Sequence, residues 1–143
     1  MTTGNSIYKV FKTSEQAENE GQWFDYGPGP SGENQRFCLA RMGRSNKKYT
    51  GAIQRMQTEY GRQLDSGTLA DSVAHEVLLH IFCTTILVNW TGICDENDEA
   101  LPYSVENAKQ LLTDLPDLYQ ELQSLAQSRE HYRLQQNEAD AGN

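Results

Sequence analysis

The 143-residue sequence lacks any apolar run long enough to span a bilayer. Its densest apolar stretch, Ile81 to Val88, is short and is bounded by His80 and Asn89. No apolar run follows a basic start at the N-terminus, so no signal peptide is visible and a soluble protein is expected. Cysteine is scarce. Cys38, Cys83 and Cys94 are odd in number and form no C-x-x-C pair, which favours buried free thiols over a disulfide framework or metal site. Bases are scarce beyond Cys94: residues 95–143 hold eleven acids and three bases, whereas residues 1–94 hold nine of each. No nucleophile–base pair, phosphate loop or metal cluster is recognisable, so a non-enzymatic role without a cofactor is expected.

The charge that is present is sorted along the chain. Arg36, Arg41, Arg44, Lys47, Lys48, Arg55 and Arg62 meet only Glu59 within their stretch. The molecule should therefore carry a basic middle and an acidic C-terminal third. The net charge of −8 opposes nucleic acid. Opposite patches on one chain suit self-association or a protein partner instead.

The pattern of residues predicts a mainly α, α+β protein. A single domain over residues 1–130 is expected, β-rich over 7–42 and helical over 46–130, followed by a flexible acidic tail over 131–143. Ile7 to Lys12 is β-prone, and SEQAENEGQ reads as a polar spacer. Gln22–Tyr26 and Arg36–Met42 read as an antiparallel hairpin or meander, separated by the turn-forming GPGPSGEN. Trp23, Phe24 and Tyr26 suggest a stacking platform, but core packing is the simpler use. From Asn46, Tyr49, Ile53, Met56 and Tyr60 mark one helical face, ending before Asp65-Ser66-Gly67. Thr68 and Asp71 resemble a capping box opening a central buried helix over about 68–90, with Phe82 in its core and Gly92 as its left-handed cap.

Two motifs in this region look chemical and fail on spacing. His75 and His80 stand at i and i+5, not the i and i+4 that put two zinc ligands on one helical face. Asp95, Asn97, Glu99 and Glu106 match positions of a calcium loop, but Ala100 and Pro102 replace what its sharp turn needs. A solvated acidic turn is the simpler reading, with a calcium-binding regulatory module as a distant alternative. Beyond it, Ser104 should cap a helix over Val105–Leu112, with Val105, Ala108, Leu111 and Leu112 inward. Asp114 should cap the last helix, with Pro116 in its first turn. Leu115, Leu118, Leu122, Leu125 and Tyr132 approach a heptad seam.

The run Val88-Asn89-Trp90-Thr91-Gly92-Ile93, then Asp95, Leu101-Pro102-Tyr103-Ser104, Glu106-Asn107-Ala108, Leu111-Leu112 and Leu115-Pro116-Asp117-Leu118 resembles the tail assembly chaperones of long-tailed, siphovirus-type bacteriophages. The resemblance is close over about residues 77–130. Trp90, Gly92, Asp95, Pro102, Tyr103, Ser104, Asn107 and Pro116 carry it. Asn97-Asp98-Glu99 stands where relatives often have a glycine. The resemblance implies a protein that coats and solubilises the tape-measure protein, helps recruit tail-tube subunits in the host bacterial cytoplasm, and is absent from the mature virion. It also implies a longer, frameshifted form. Leu118, Leu122, Leu125 and Tyr132 are the candidate client-binding face; packing on the central helix is the competing use of the leucines. A minor tail or connector subunit of the virion is the alternative function.

Overall fold

The computed structural model describes Gly4 and residues 6–134. In chain order it comprises α1 (Ile7–Phe11), α2 (Glu15–Glu20), β1 (Gln22–Pro28), β2 (Asn34–Leu39), α3 (Lys47–Ser66), α4 (Asp71–Thr85), β3 (Leu87–Thr91), α5 (Val105–Asp114) and α6 (Pro116–Gln127), with a closing 3-10 turn over Arg129–Tyr132. The α+β class is as the sequence predicts. Several boundaries differ, each for a physical reason.

The sheet is antiparallel in the order β1-β2-β3, so β2 is its centre. Phe24 pairs with Phe37 and Phe37 with Trp90, a row of aromatic side chains across one face. Phe37 and Trp90 meet edge to face, as do Trp90 and Tyr103. Leu39, Phe82, Ile86, Leu87, Leu112, Leu122 and Ala126 fill the core beside this row. The other face carries Cys38, whose thiol lies 3.7 Å from the Glu20 carbonyl at the end of α2. Both faces of β2 are thus covered near Cys38, and Phe37, Cys38, Leu39 and Ala40 are all buried.

The expected single helix over 68–90 is two elements. The helix ends at Thr85, and Leu87–Thr91 is the third strand. Val88 and Ile86 belong to a β-branched run, which packs well on a pleated surface and loses rotamer freedom in a helix. Gly92 has a left-handed φ of +68°, but it follows a strand rather than capping a helix. Thr68 does not open α4 either. Gly67 is left-handed, and the Thr68 and Leu69 amides donate to the Gln63 carbonyl, so these residues terminate α3 in a Schellman-type end. The N-cap of α4 is Ala70, with no side-chain hydrogen bond. Accordingly α3 runs through Asp65 and Ser66 instead of stopping before them.

The N-terminal segment read as a strand is the short helix α1, capped by Ser6, with Ile7, Tyr8 and Phe11 exposed. The polar spacer is α2, capped by Ser14. At the other end, Asp114 is the last residue of α5 and accepts from Gln110 Nε2, while Leu115 occupies the cap position before Pro116. Residues 131–134, expected to belong to the tail, pack on the fold instead. Tyr132 is fully buried and its hydroxyl donates to the Leu39 carbonyl over 2.9 Å. Thr13 bridges to Arg133, and the Leu134 amide donates to the Lys12 carbonyl. The rest of that tail, residues 135–143, lies outside the described residues.

Candidate functional site: a groove between two helices

Along the α3–α4 hairpin, burial is confined to Ala52 of α3 and to the C-terminal half of α4. Lys47–Ser66 forms a helix because Asn46 caps it: its carboxamide oxygen accepts from the Tyr49 amide. The same carboxamide donates to the Arg41 and Thr85 carbonyls, over 3.0 and 3.1 Å, and is fully buried. Asn46 therefore fixes the start of α3 against the end of α4. The two helices pack against each other along the hairpin, and α4 also meets the body, with His75 against Tyr119 of α6. Only Ala52 is buried along α3. On α4 the buried positions lie in the half nearest the core, from Leu79 to Thr85.

Between them lies an open groove of about 840 Å³. Its lining is mixed, and the apolar part comes from Ala52, Met56 and Tyr60 of α3 with Val73, Val77 and Ile81 of α4. Its walls are charged and unevenly so. Lys47 and Lys48 stand at the start of α3 near the Asn46 joint, Arg55 and Glu76 are level with each other farther out, and Glu59, His80 and Lys109 complete the charged lining. The α3 wall from Lys47 to Tyr60 spans about 20 Å at helical rise. A mixed apolar and charged lining of that length suits an amphipathic helix. The sequence displays the Met56 and Tyr60 stripe; it does not display that the described residues leave a groove open beside it.

The residues singled out in the sequence occupy joints rather than a surface. The Trp90 indole donates to the Leu101 carbonyl over 2.8 Å. The Tyr103 hydroxyl lies 2.7 Å from the Leu87 carbonyl and 3.1 Å from that of Cys83, bracketing the change from α4 to β3. A Cβ on Gly92 would collide with the Asn34 backbone carbonyl, so the chain passes β2 closely only with glycine there. Asp95 accepts from the Asn97 and Glu99 amides, and the Asp98 amide closes on the Asp95 carbonyl, an acidic turn held by its own backbone. Ser104 caps α5 by accepting from the Asn107 amide, and the Asn107 side chain donates back to the Pro102 carbonyl. Pro116 takes the first position of α6, where its missing N–H is harmless.

The proposed leucine face is corrected by burial. Leu122 and Tyr132 are fully buried, and Leu118 and Leu125 are half-buried against the core. Leu115 alone of that seam is exposed. The four named residues pack on the sheet and helices and offer no continuous surface. Trp23 and Tyr26 move the other way: both are exposed, with Arg36 stacked 4.9 Å over the Trp23 ring and the Tyr26 hydroxyl donating to Glu121. Burial and the Glu121 carboxylate push the Tyr26 hydroxyl pKa up.

His75 and His80 have different neighbours, Tyr119 for the first and the groove for the second. Among the described residues no group of three His, Cys, Asp or Glu side chains could hold a metal ion. The three cysteines are free; Cys94 is partly exposed, and burial pushes Cys38 up to about 11 and Cys83 up to about 12. Among the described residues no helix is long and apolar enough to cross a membrane.

The family model of the YdaY prophage protein matches residues 44–143. The chain belongs to the YdaY prophage protein family. It is therefore a phage-derived protein, and the matched region contains α3, α4 and the whole groove wall from Lys47 onward. No curated protein and no solved structure matches the chain.

Proposed function

We propose that the protein is a non-enzymatic tail assembly chaperone of its phage. It binds an apolar helix of the tape-measure protein in the α3–α4 groove, keeps that client soluble in the host cytoplasm, helps recruit tail-tube subunits, and does not remain in the finished particle. The carrying observation is the groove, open between α3 and α4 over a helix's length and lined by apolar and charged side chains together. Membership of a prophage family and the motif resemblance through residues 88–118 support the same reading.

The test is co-expression with a tape-measure fragment of the same prophage. Val77→Asp places a charge on the groove floor at a half-buried position, where the fold should survive. Wild type should hold the fragment in the soluble fraction and co-purify with it, whereas Val77→Asp should release it. A folded Val77→Asp variant that still solubilises and retains the client sinks the groove as its site. Mass spectrometry of purified particles covers the other reading: stoichiometric presence would make the protein a virion subunit.

A further inference from the structure

We propose that the groove selects a helix carrying an acidic residue on one flank of its apolar stripe and a basic residue on the other, read by Arg55 and Glu76. The inference rests on the helix-in-groove reading and deepens it, by naming the chemistry through which a client helix is chosen and oriented.

The Asn46 carboxamide, 3.1 Å from the Thr85 carbonyl, sets the two helices in register. Arg55 stands nine positions after Asn46, and Glu76 nine positions before Thr85. At helical rise each lies about 13.5 Å from that joint, so the two are level on opposite sides of the groove. Met56 and Val77, both half-buried, line the groove beside them. Arg55 and Glu76 are themselves exposed, and among the described residues neither has an ion-pair partner. Glu59 lies one turn beyond Arg55, and His80 one turn nearer the joint than Glu76, so each belongs to another level of the lining.

Apolar contact is non-directional, so Met56 and Val77 accept the stripe of any amphipathic helix. The charges beside them do not. A helix seated on those two residues brings one flank against Arg55 and the other against Glu76. An acid toward α3 and a base toward α4 make two attractions. Two acids, or two bases, exchange one of these for a repulsion, and a repulsive contact is what separates a wrong partner from a right one. Turning a helix end for end exchanges its flanks. The level pair therefore also sets the direction in which a given client lies.

The experiment titrates the full chain into three labelled, helix-stabilised synthetic peptides at about 0.15 M ionic strength, where only close charges are felt. The peptides share one apolar stripe and differ only in the two residues flanking it at the middle turn: Glu and Lys, Glu and Glu, or Lys and Lys. By fluorescence anisotropy, wild type should bind the Glu/Lys peptide at least about fivefold more tightly than either of the others. Glu76→Arg should make the Glu/Glu peptide the preferred one, and Arg55→Glu the Lys/Lys peptide. Both substitutions fall at exposed positions, and circular dichroism checks folding. Wild type that binds all three peptides alike overturns the proposal and leaves the groove reading standing, as does a folded variant whose preference stays that of wild type. Val77→Asp should weaken all three. Peptides that bind Val77→Asp as tightly as wild type lie outside the groove, and then both readings fall. They fall together also if no peptide binds at millimolar protein.

Discussion

Glu18 shows how a single side chain ties distant segments together. It is buried, and its carboxylate accepts from Arg41 Nη1 over 3.0 Å and from the Thr13 and Ser45 hydroxyls. Its own carbonyl accepts from the Arg41 amide over 2.9 Å. A buried ion pair is weak evidence of net stabilisation, but removing one partner leaves the other charge uncompensated. Glu18→Gln should therefore destabilise the fold by about 3 kcal/mol in urea titration. A shift below about 1 kcal/mol would mean that solvent reaches Arg41 and the network holds little. None of this was legible in the sequence. Glu18 sits in a run of polar residues, and its burial depends on Arg41 and Ser45, which local pattern cannot bring to it. The reverse misreading befell Trp23 and Tyr26, whose aromatic character suggested the core while the edge position of β1 leaves them exposed.

At the scale of elements, periodicity and capping chemistry recovered most of what is local. The start of α3 at Asn46, the cap of α5 at Ser104 and the first turn of α6 at Pro116 follow from residues that satisfy or spare helix-end groups. The paired strands β1 and β2 follow from β-prone runs around a Gly/Pro turn. What failed was the split at Ile86. A short apolar run looks the same to a buried helix and a buried strand, and only pairing with β2 decides between them. The pairing depends on a close approach at Gly92, whose φ is positive and whose missing Cβ admits the Asn34 carbonyl. Gly92→Ala should cost about 3 kcal/mol or more, combining backbone strain with a backbone collision. Thermal melting at wild-type temperature would show that the turn can move away without consequence. The groove was half legible: its apolar stripe on α3 was visible, but that no third element of the described residues fills it is a property of two elements together.

For the molecule as a whole, the two ends of the described chain close the fold. Tyr132 fills the core beside Leu39, and its neighbours bridge to Lys12 and Thr13. The Arg129 guanidinium covers the Phe11 ring at 4.1 Å. Tyr132→Ala should lose about 3–5 kcal/mol, the usual cost of emptying a large aromatic site. An unchanged denaturation midpoint would place Tyr132 outside the cooperative unit.

The position of the hairpin between β2 and β3 also orders events in time. Leu39 pairs with Leu87 across the entire α3–α4 insertion, so the sheet can close only after a long loop is drawn in. The contacts between α3 and α4 span a short turn and need no such search. Local contacts form sooner than distant ones at comparable strength. The hairpin can therefore assemble while β3 is still unpaired, and the groove gains its Lys109 lining only when α5 docks. Closure of the sheet against β2 is then the slow step, and it is the step that Gly92 permits.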